Sequence, residues 1–285
     1  MQSQLRGFLY TTPAMFLIAG VLIAPSLYGF YFSLFHIRYL QATNFIWFEN
    51  YTFLLGDPEF LWVVVRSFLF TAVAVCLTIA LALAVALWIN QLTGWFALVI
   101  QIAVVLPWVV SHVVGALLFR WVFVNEIGLG VYFLEKIGFP GFRPLGNATA
   151  AMTVLIVFAM WRTLGYAVLL LLAGLKSVPQ DLYEAAHVDG ATAWQRFTRI
   201  TLPMLRTPML ITLVLLTVSN LNNVEAPLIV TGGGPADATN ILPLELYMRA
   251  FARFDFATAI ALGTGMFAAN IFLALAYVKL VKRRG

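Results

Sequence analysis

Long apolar runs separated by short polar stretches set the pattern of this chain. Six runs reach the length that crosses about 30 Å of hydrocarbon at about 1.5 Å per helical residue. They are Phe8–Phe35, Ser67–Ile89, Trp95–Phe119, Thr149–Leu175, Pro208–Val230 and Phe256–Val278. Within them the interruptions are His112 in the third, Arg162 in the fourth and Glu225 in the fifth. Such segments must be helices, because lipid offers backbone amides and carbonyls no other partner. The pattern therefore predicts an all-α membrane protein with six transmembrane helices in a single domain, residues 1–285. Asn90–Gly94 reads as a tight turn, and His36–Arg66, Arg120–Gly146 and Thr231–Asp255 as larger loops on the opposite side. In the second of these, "GLGVYFLEKIGF" has apolar spacing that suits a short interfacial helix between Gly128 and Gly138.

Composition strengthens this reading. Of 285 residues, 62% are hydrophobic and 10% charged, against about a quarter charged in ordinary soluble domains. The first run is too long for a signal-peptide core and no small-residue cleavage site follows it, so it reads as a retained helix. Cys76, the single cysteine, allows no intramolecular disulfide. The three histidines stand far apart and form no metal-ligand spacing. Lys and Arg fix the orientation. Arg6, Lys176, Arg196, Arg199, Arg206, Lys279, Lys282, Arg283 and Arg284 fall on the side that holds both termini, with Asp181, Glu184 and Asp189 the acids there. The other side has slightly more acids than bases, so the positive-inside rule makes both termini cytoplasmic. This asymmetry accounts for the basic pI of about 9.5 without nucleic acid.

The loop 176–207 is then the one substantial cytoplasmic segment. Pro179 and Asp181 suit a helix start. Asp189-Gly190 is a break, since glycine takes left-handed dihedrals at no steric cost. A second segment sets Trp194 and Phe197 three apart on one face, and Pro203 ends or bends it. The inner corner is small (Ala185, Ala186, Gly190), which lets another protein's backbone come close. A plain solvated connector is the alternative from shape alone.

"EAAHVDGATAWQRFTRITLP" has Glu184-Ala185-Ala186, then Gly190, then Ile200, Leu202 and Pro203. This arrangement resembles the conserved cytoplasmic loop (the EAA motif) of binding-protein-dependent ABC importer permeases. "LPWVVSHVVGALLFRWVF", "LAGLKSVPQDLYEAA" and "TGGGPADAT" are similar to stretches of the carbohydrate-type permeases, the class of the maltose and glycerol-phosphate importer subunits. The resemblance implies the type I importer fold, in a bacterial cytoplasmic (inner) membrane. It implies a coupling helix seated in a separate ATPase, with Glu184, Ala185, Ala186, Asp189, Gly190, Trp194 and Phe197 as coupling residues. It also implies partners: a second, homologous permease as a heterodimer, two ATP-binding subunits, and an extracytoplasmic solute-binding protein that delivers a small solute. Val178 before the proline is a minor departure.

The chain has no phosphate-cradling G-x-x-x-x-G-K-[ST] sequence, so nothing here assigns it catalytic residues, a cofactor or a metal; ATP and Mg belong to the expected ATPase partner. "TGGGPADAT" reads as a turn at the outer mouth of the fifth span and a contact for the binding protein. Arg162 lies about 20 Å from the inner end of its span, where a charge marks either a pathway or a buried pair. Glu225 lies about one helical turn away in depth, so an Arg162–Glu225 pair and a solute contact both remain open. Ser219, Asn220, Asn222 and Asn223 spread over about 160° of one helical face, with Glu225 beyond. Amides suit polyhydroxylated solutes, although asparagine also joins membrane helices; four such groups favour the translocation path. Trp161, His112 and Trp108 are weaker candidates. The expected activity is ATP-driven import of a sugar, polyol or related glycoside by alternating access. An ion-coupled secondary transporter is the rival reading, and it would leave the loop 176–207 without a task.

Overall fold

The structure, a computed structural model, describes residues 2–38, 41–124 and 127–282. Helix α1 (Gln2–Ile18) passes through a wide π-type turn at Ala19–Ile23 into α2 (Ala24–Ser33). A hairpin of β1 (Phe35–Arg38) and β2 (Gln41–Phe45) and the short α3 (Glu49–Gly56) follow. Next come α4 (Pro58–Asn90), α5 (Gly94–Val109), α6 (His112–Phe123), α7 (Leu129–Lys136) and α8 (Ala148–Lys176). The loop after α8 carries α9 (Gln180–Val188), α10 (Ala193–Arg196) and α11 (Leu202–Met204). The chain ends through α12 (Arg206–Asn222), α13 (Leu242–Tyr247) and α14 (Phe256–Lys282). Of the charges that set the orientation, Glu126, Arg283 and Arg284 lie outside the described residues.

Four segments are continuous, long and apolar enough to cross a membrane: Tyr10–Ser33, Pro58–Asn90, Ala148–Lys176 and Phe256–Lys279. Two more are bent pairs, α5 with α6 at 94°, and Ala193–Met204 with α12 at 63°. The third predicted span is thus not a straight rod, whereas the 63° bend falls just before the fifth, which breaks elsewhere. Pro107 removes one ladder bond near the end of α5, and Val110 and Ser111 then turn extended before α6 begins. In the fifth span the helix stops at Asn222, and Asn223 is extended. Pro227 has no N–H for the Asn223 carbonyl, so the ladder cannot run on through this point. A π-type segment, Pro227–Thr231, resumes beyond it. Helix α4 also starts nine residues earlier than Ser67, because Pro58 and Glu59 suit a helix start even though Glu59 and Arg66 do not suit hydrocarbon. The predicted interfacial helix is α7, and the predicted turn ends at Gly94, which opens α5 at φ +70°.

The chain divides into two compact units, one comprising Met1–Trp62 and Glu245–Ile271, the other Val63–Leu244 and Phe272–Gly285. In the larger unit one core cluster joins Ala86 and Ile89 of α4 to Leu171 and Leu175 of α8, with Leu205 and Leu216. A second joins Phe70, Ala116, Leu155, Phe158 and Val230. Helices α5 and α8 touch backbone to backbone at Gly165, where a Cβ would stand 2.6 Å from the Val104 carbonyl oxygen and 2.7 Å from Val105 Cα. Small residues permit this closeness, and dispersion between backbones is what holds helices together in lipid.

In the smaller unit, buried Asn50 donates to the carbonyls of Ser33 (2.8 Å) and Phe35 (3.1 Å), tying α3 to the end of α2. The loop predicted over Thr231–Asp255 is largely ordered as helix from Leu242 to Ala252. Within it Arg249, with a side chain 7% exposed, donates from Nε to Glu245 Oε1 at 2.6 Å and from Nη1 to Thr258 Oγ1 at 3.1 Å. Asp57 and Asp255 lie at 3.7 and 3.9 Å, and the Phe60 ring at 5.7 Å. From the sequence this stretch reads only as one of the larger outer loops. The only early signal of these charges was the i,i+4 spacing of Glu245 and Arg249.

Candidate functional site

Two groups of residues carry chemistry, both in the larger unit. The first is the loop between α8 and α12. Helix α9 starts after Pro179 with Asp181 in its first turn and ends at Asp189. Gly190 follows at φ +73°. Its N–H donates to the His187 carbonyl at 3.0 Å, and the Ala191 N–H reaches back to Ala186 at 2.9 Å. This double bond pattern is the Schellman stop, which needs a left-handed residue at the glycine position. The chain restarts at once. Thr192 Oγ1 accepts from the Gln195 N–H and Gln195 Oε1 accepts from the Thr192 N–H, a complete capping box. The T-x-x-Q spacing of Thr192 and Gln195 is the sequence signal for this box. Across the corner the Tyr183 and Thr201 hydroxyls lie 2.9 Å apart. The loop is therefore a fixed helix–turn–helix and no slack connector.

Its outer surface is unusual for a connector. Glu184, Ala185, Asp189 and Gly190 are exposed, Ala186 partly so. Val188 is 86% and Trp194 71% exposed, and the Trp194 and Phe197 rings lie 5.6 Å apart. A Cβ on Gly190 would meet nothing within 4 Å. The outer face of the corner is open.

The second group lies where α5–α6 and α12 break. His112, Arg162, Ser219, Asn220 and Asn223 line one cavity with Phe158 and Thr163. Asn223 is the hub. Its Oδ1 accepts from the Ala226 N–H at 2.9 Å, and its Nδ2 donates to His112 Nε2 (2.8 Å) and Glu225 Oε2 (3.1 Å). Asn220 Nδ2 and Asn222 Nδ2 donate to the carbonyls of Leu216 and Val218, each one turn back. Asn222 is exposed and does not line the cavity. The helical fan of asparagines must therefore be corrected: because α12 ends at Asn222, neither Asn223 nor Glu225 continues its face.

The depths of Arg162 and Glu225 allowed an ion pair; among the described residues the structure forms none. Arg162 Nη1 donates instead to the carbonyls of Pro107 (3.0 Å) and Trp108. Those oxygens are orphans of the α5 terminus, since the helical N–H groups that would bond them are lost in the 94° bend. The charge thus closes the broken helix, and its Nε has no hydrogen-bond partner among the described residues. Exchanging the charges (Arg162→Glu with Glu225→Arg) is therefore expected to leave transport no better than Arg162→Glu alone. Uptake by cells carrying each variant reads this directly, and recovery in the double variant would show that a pair forms in some working state.

The loop over Thr231–Thr239 is tightly ordered. The buried Thr239 hydroxyl lies 2.8 Å from Thr231 Oγ1 and 2.8 Å from the Gly234 carbonyl. Arg66 donates to the Asp237 carbonyl, and Ser67 accepts from the Leu242 N–H at 2.7 Å. Among the described residues no three His, Cys, Asp or Glu side chains gather in a group that could hold a metal.

Residues 77–285 match the family described as "Binding-protein-dependent transport system inner membrane component". The chain is 30% identical over 284 residues to the sulfoquinovosyl glycerol transport system permease protein of Agrobacterium fabrum, covering 99% of this chain and 92% of that one. It is 30% identical over 279 residues to the trehalose/maltose transport system permease protein of Thermococcus litoralis, covering 98% and 94%. A solved structure of a bacterial alginate ABC transporter, in complex with an alginate pentasaccharide-bound periplasmic protein, contains a chain of the same fold. It superposes with a TM-score of 0.84 at 21% identity over 99% of this chain and 96% of that one.

Proposed function

Because this chain belongs to the binding-protein-dependent transport inner membrane components, as a multi-pass carbohydrate-type ABC transporter permease of the bacterial inner membrane, we propose that it is the translocation half of an ATP-driven importer. The chain crosses the membrane six times, with α5 and α6 counted as one span and α12 with Pro227–Thr231 as another, and both termini and the loop 176–207 lie in the cytoplasm. The whole chain acts as one translocation domain. A second permease supplies the other half, two ATP-binding subunits supply ATP and Mg, and an extracytoplasmic protein delivers the solute. The solute is a sugar, polyol or related glycoside, the class to which the names of the two relatives point. This chain breaks no bond.

The observation that carries the proposal is the rigid corner formed by α9, Gly190 and α10. A lever must transmit displacement, and a Schellman stop followed by a capping box fixes both arms. Glu184, Ala185, Ala186, Asp189, Gly190, Trp194 and Phe197 form the face offered to the ATP-binding subunit. Arg162, Ser219, Asn220 and Asn223 line the path with His112, while Asn222 and Glu225 flank it. The cavity among the lining residues has a volume of only ≈ 10 Å³, about one water. A solute passes only when the helices around it separate. ATP binding would favour the separated form by gripping the corner differently in the two states, as any ligand-driven shift requires.

Gly190 supplies the test. The chain has room for a side chain there, so Gly190→Ala is expected to cost about 1–2 kcal/mol for its left-handed backbone. It should leave the ATP-binding subunits attached. Gly190→Trp adds bulk that only a neighbour can feel, and is expected to abolish co-purification of those subunits or uncouple ATP hydrolysis from uptake while the spans still insert. If wild-type chain purifies without an ATP-binding subunit, or if Gly190→Trp transports normally, the proposal fails.

A further inference from the structure

We propose that the groove between α4 and the start of α12 holds an acyl chain of an anionic phospholipid from the inner leaflet, with Arg206 receiving its phosphate. The assignment rests on the orientation given under the proposed function. The groove has a volume of ≈ 520 Å³ and is lined by Ile79 on α4, Leu202 on α11, and Met209, Leu210 and Leu213 on α12, with Arg206 as its charged member. Its depth matches one leaflet. Arg206 opens α12 and Leu213 lies seven residues on, about 10 Å; Ile79 lies eleven residues from the inner end of α4, about 16 Å. Half of the roughly 30 Å hydrocarbon core is about 15 Å. The 63° bend at Leu205 turns α11 aside, so the groove begins at headgroup level and runs up between the spans.

Charge selects the occupant. Arg206 is half-buried, and among the described residues it makes no ion pair with a carboxylate. The first turn of α12 has no acid. A guanidinium held at the membrane surface without a counter-charge attracts phosphate, and basic pockets between spans on the cytoplasmic side take anionic headgroups for this reason. A neighbouring protein helix could fill the apolar part, but it would need its own acid at the height of Arg206. One anionic phospholipid brings both the chain and the charge.

The test uses the full chain with whatever subunits accompany it, reconstituted in nanodiscs of equal phosphatidylglycerol and phosphatidylethanolamine and released into native mass spectrometry. Wild type is expected to retain phosphatidylglycerol preferentially. Arg206→Gln should lower that preference about fivefold, the equivalent of about 1 kcal/mol for one basic group at the surface, and Arg206→Lys should keep most of it. Leu210→Trp, which fills the groove and leaves the charge, should lower retention of both lipids. Equal retention of the two lipids by wild type overturns the proposal, as does a preference unchanged in Arg206→Gln. A photoreactive residue at Met209 that attaches to a protein subunit instead of lipid overturns it as well. Bound lipid is read without transport or ATP hydrolysis, so failure here leaves the importer reading standing. Loss of the ATP-binding subunits, conversely, leaves the lipid measurement intact.

Discussion

Arg249→Met is expected to lower stability by about 3–5 kcal/mol, the usual cost of removing one partner from a buried ion pair. The side chains of Arg249 and Glu245 are 7% and 4% exposed. Nε is bonded to Glu245 at 2.6 Å, while Asp57 and Asp255 lie within 4 Å of the same guanidinium. Removal takes the shared cation from between Glu245, Asp57 and Asp255 and leaves an apolar side chain in its place. Methionine keeps most of the volume, so the loss measures charge and hydrogen bonds more than a cavity. Arg253 is the control. It donates to the same Glu245 oxygen at 2.9 Å, but its side chain is 54% exposed, so Arg253→Met should cost about 1 kcal/mol or less. Thermal unfolding of the purified protein compares the two, and equal shifts would mean that Arg249 is effectively solvated.

Gly165→Leu is expected to prevent α5 and α8 from packing, at a cost of about 3 kcal/mol or more. The obstruction is backbone: the first side-chain carbon would already stand 2.6 Å from the Val104 carbonyl oxygen. No rotamer change relieves that contact, and separating the helices forfeits the whole interface. Gly165→Ala should do most of the damage, and Gly165→Ser no less, since both carry the offending Cβ. Protease resistance and yield in mild detergent measure the effect. A Gly165→Leu protein as stable as the parent would show that the two helices have freedom to part.

These two residues show where the sequence stops being legible. Gly165 looks like any glycine in an apolar run, because its importance lies in Val104 and Val105, sixty residues earlier in the chain. Arg249 looks like a loop charge, because its burial depends on Asp57 and Phe60 arriving beside it. The corner at Gly190 was readable in advance, since a helix stop and a helix start are settled within a few residues by backbone dihedrals and caps. The polar cavity was half readable. Arg162, Ser219, Asn220 and Asn223 do line one cavity with His112, but Asn222, the last residue of α12, is exposed and lies outside it, and the two helix breaks take Asn223 off the α12 face. Those breaks replaced the considered Arg162–Glu225 pair with bonds to the carbonyls of Pro107 and Trp108.

What the sequence determined by itself is what local and bulk chemistry determines: apolar runs of membrane length, the uneven spread of Lys and Arg along the chain, and the shape of the loop 176–207. Each follows from desolvation or from hydrogen bonds between near neighbours. Only the tertiary structure decided which orphaned carbonyls Arg162 bonds, which helices touch at Gly165 and which acids surround Arg249. Those outcomes depend on distances between residues far apart in the chain, and no periodicity encodes them.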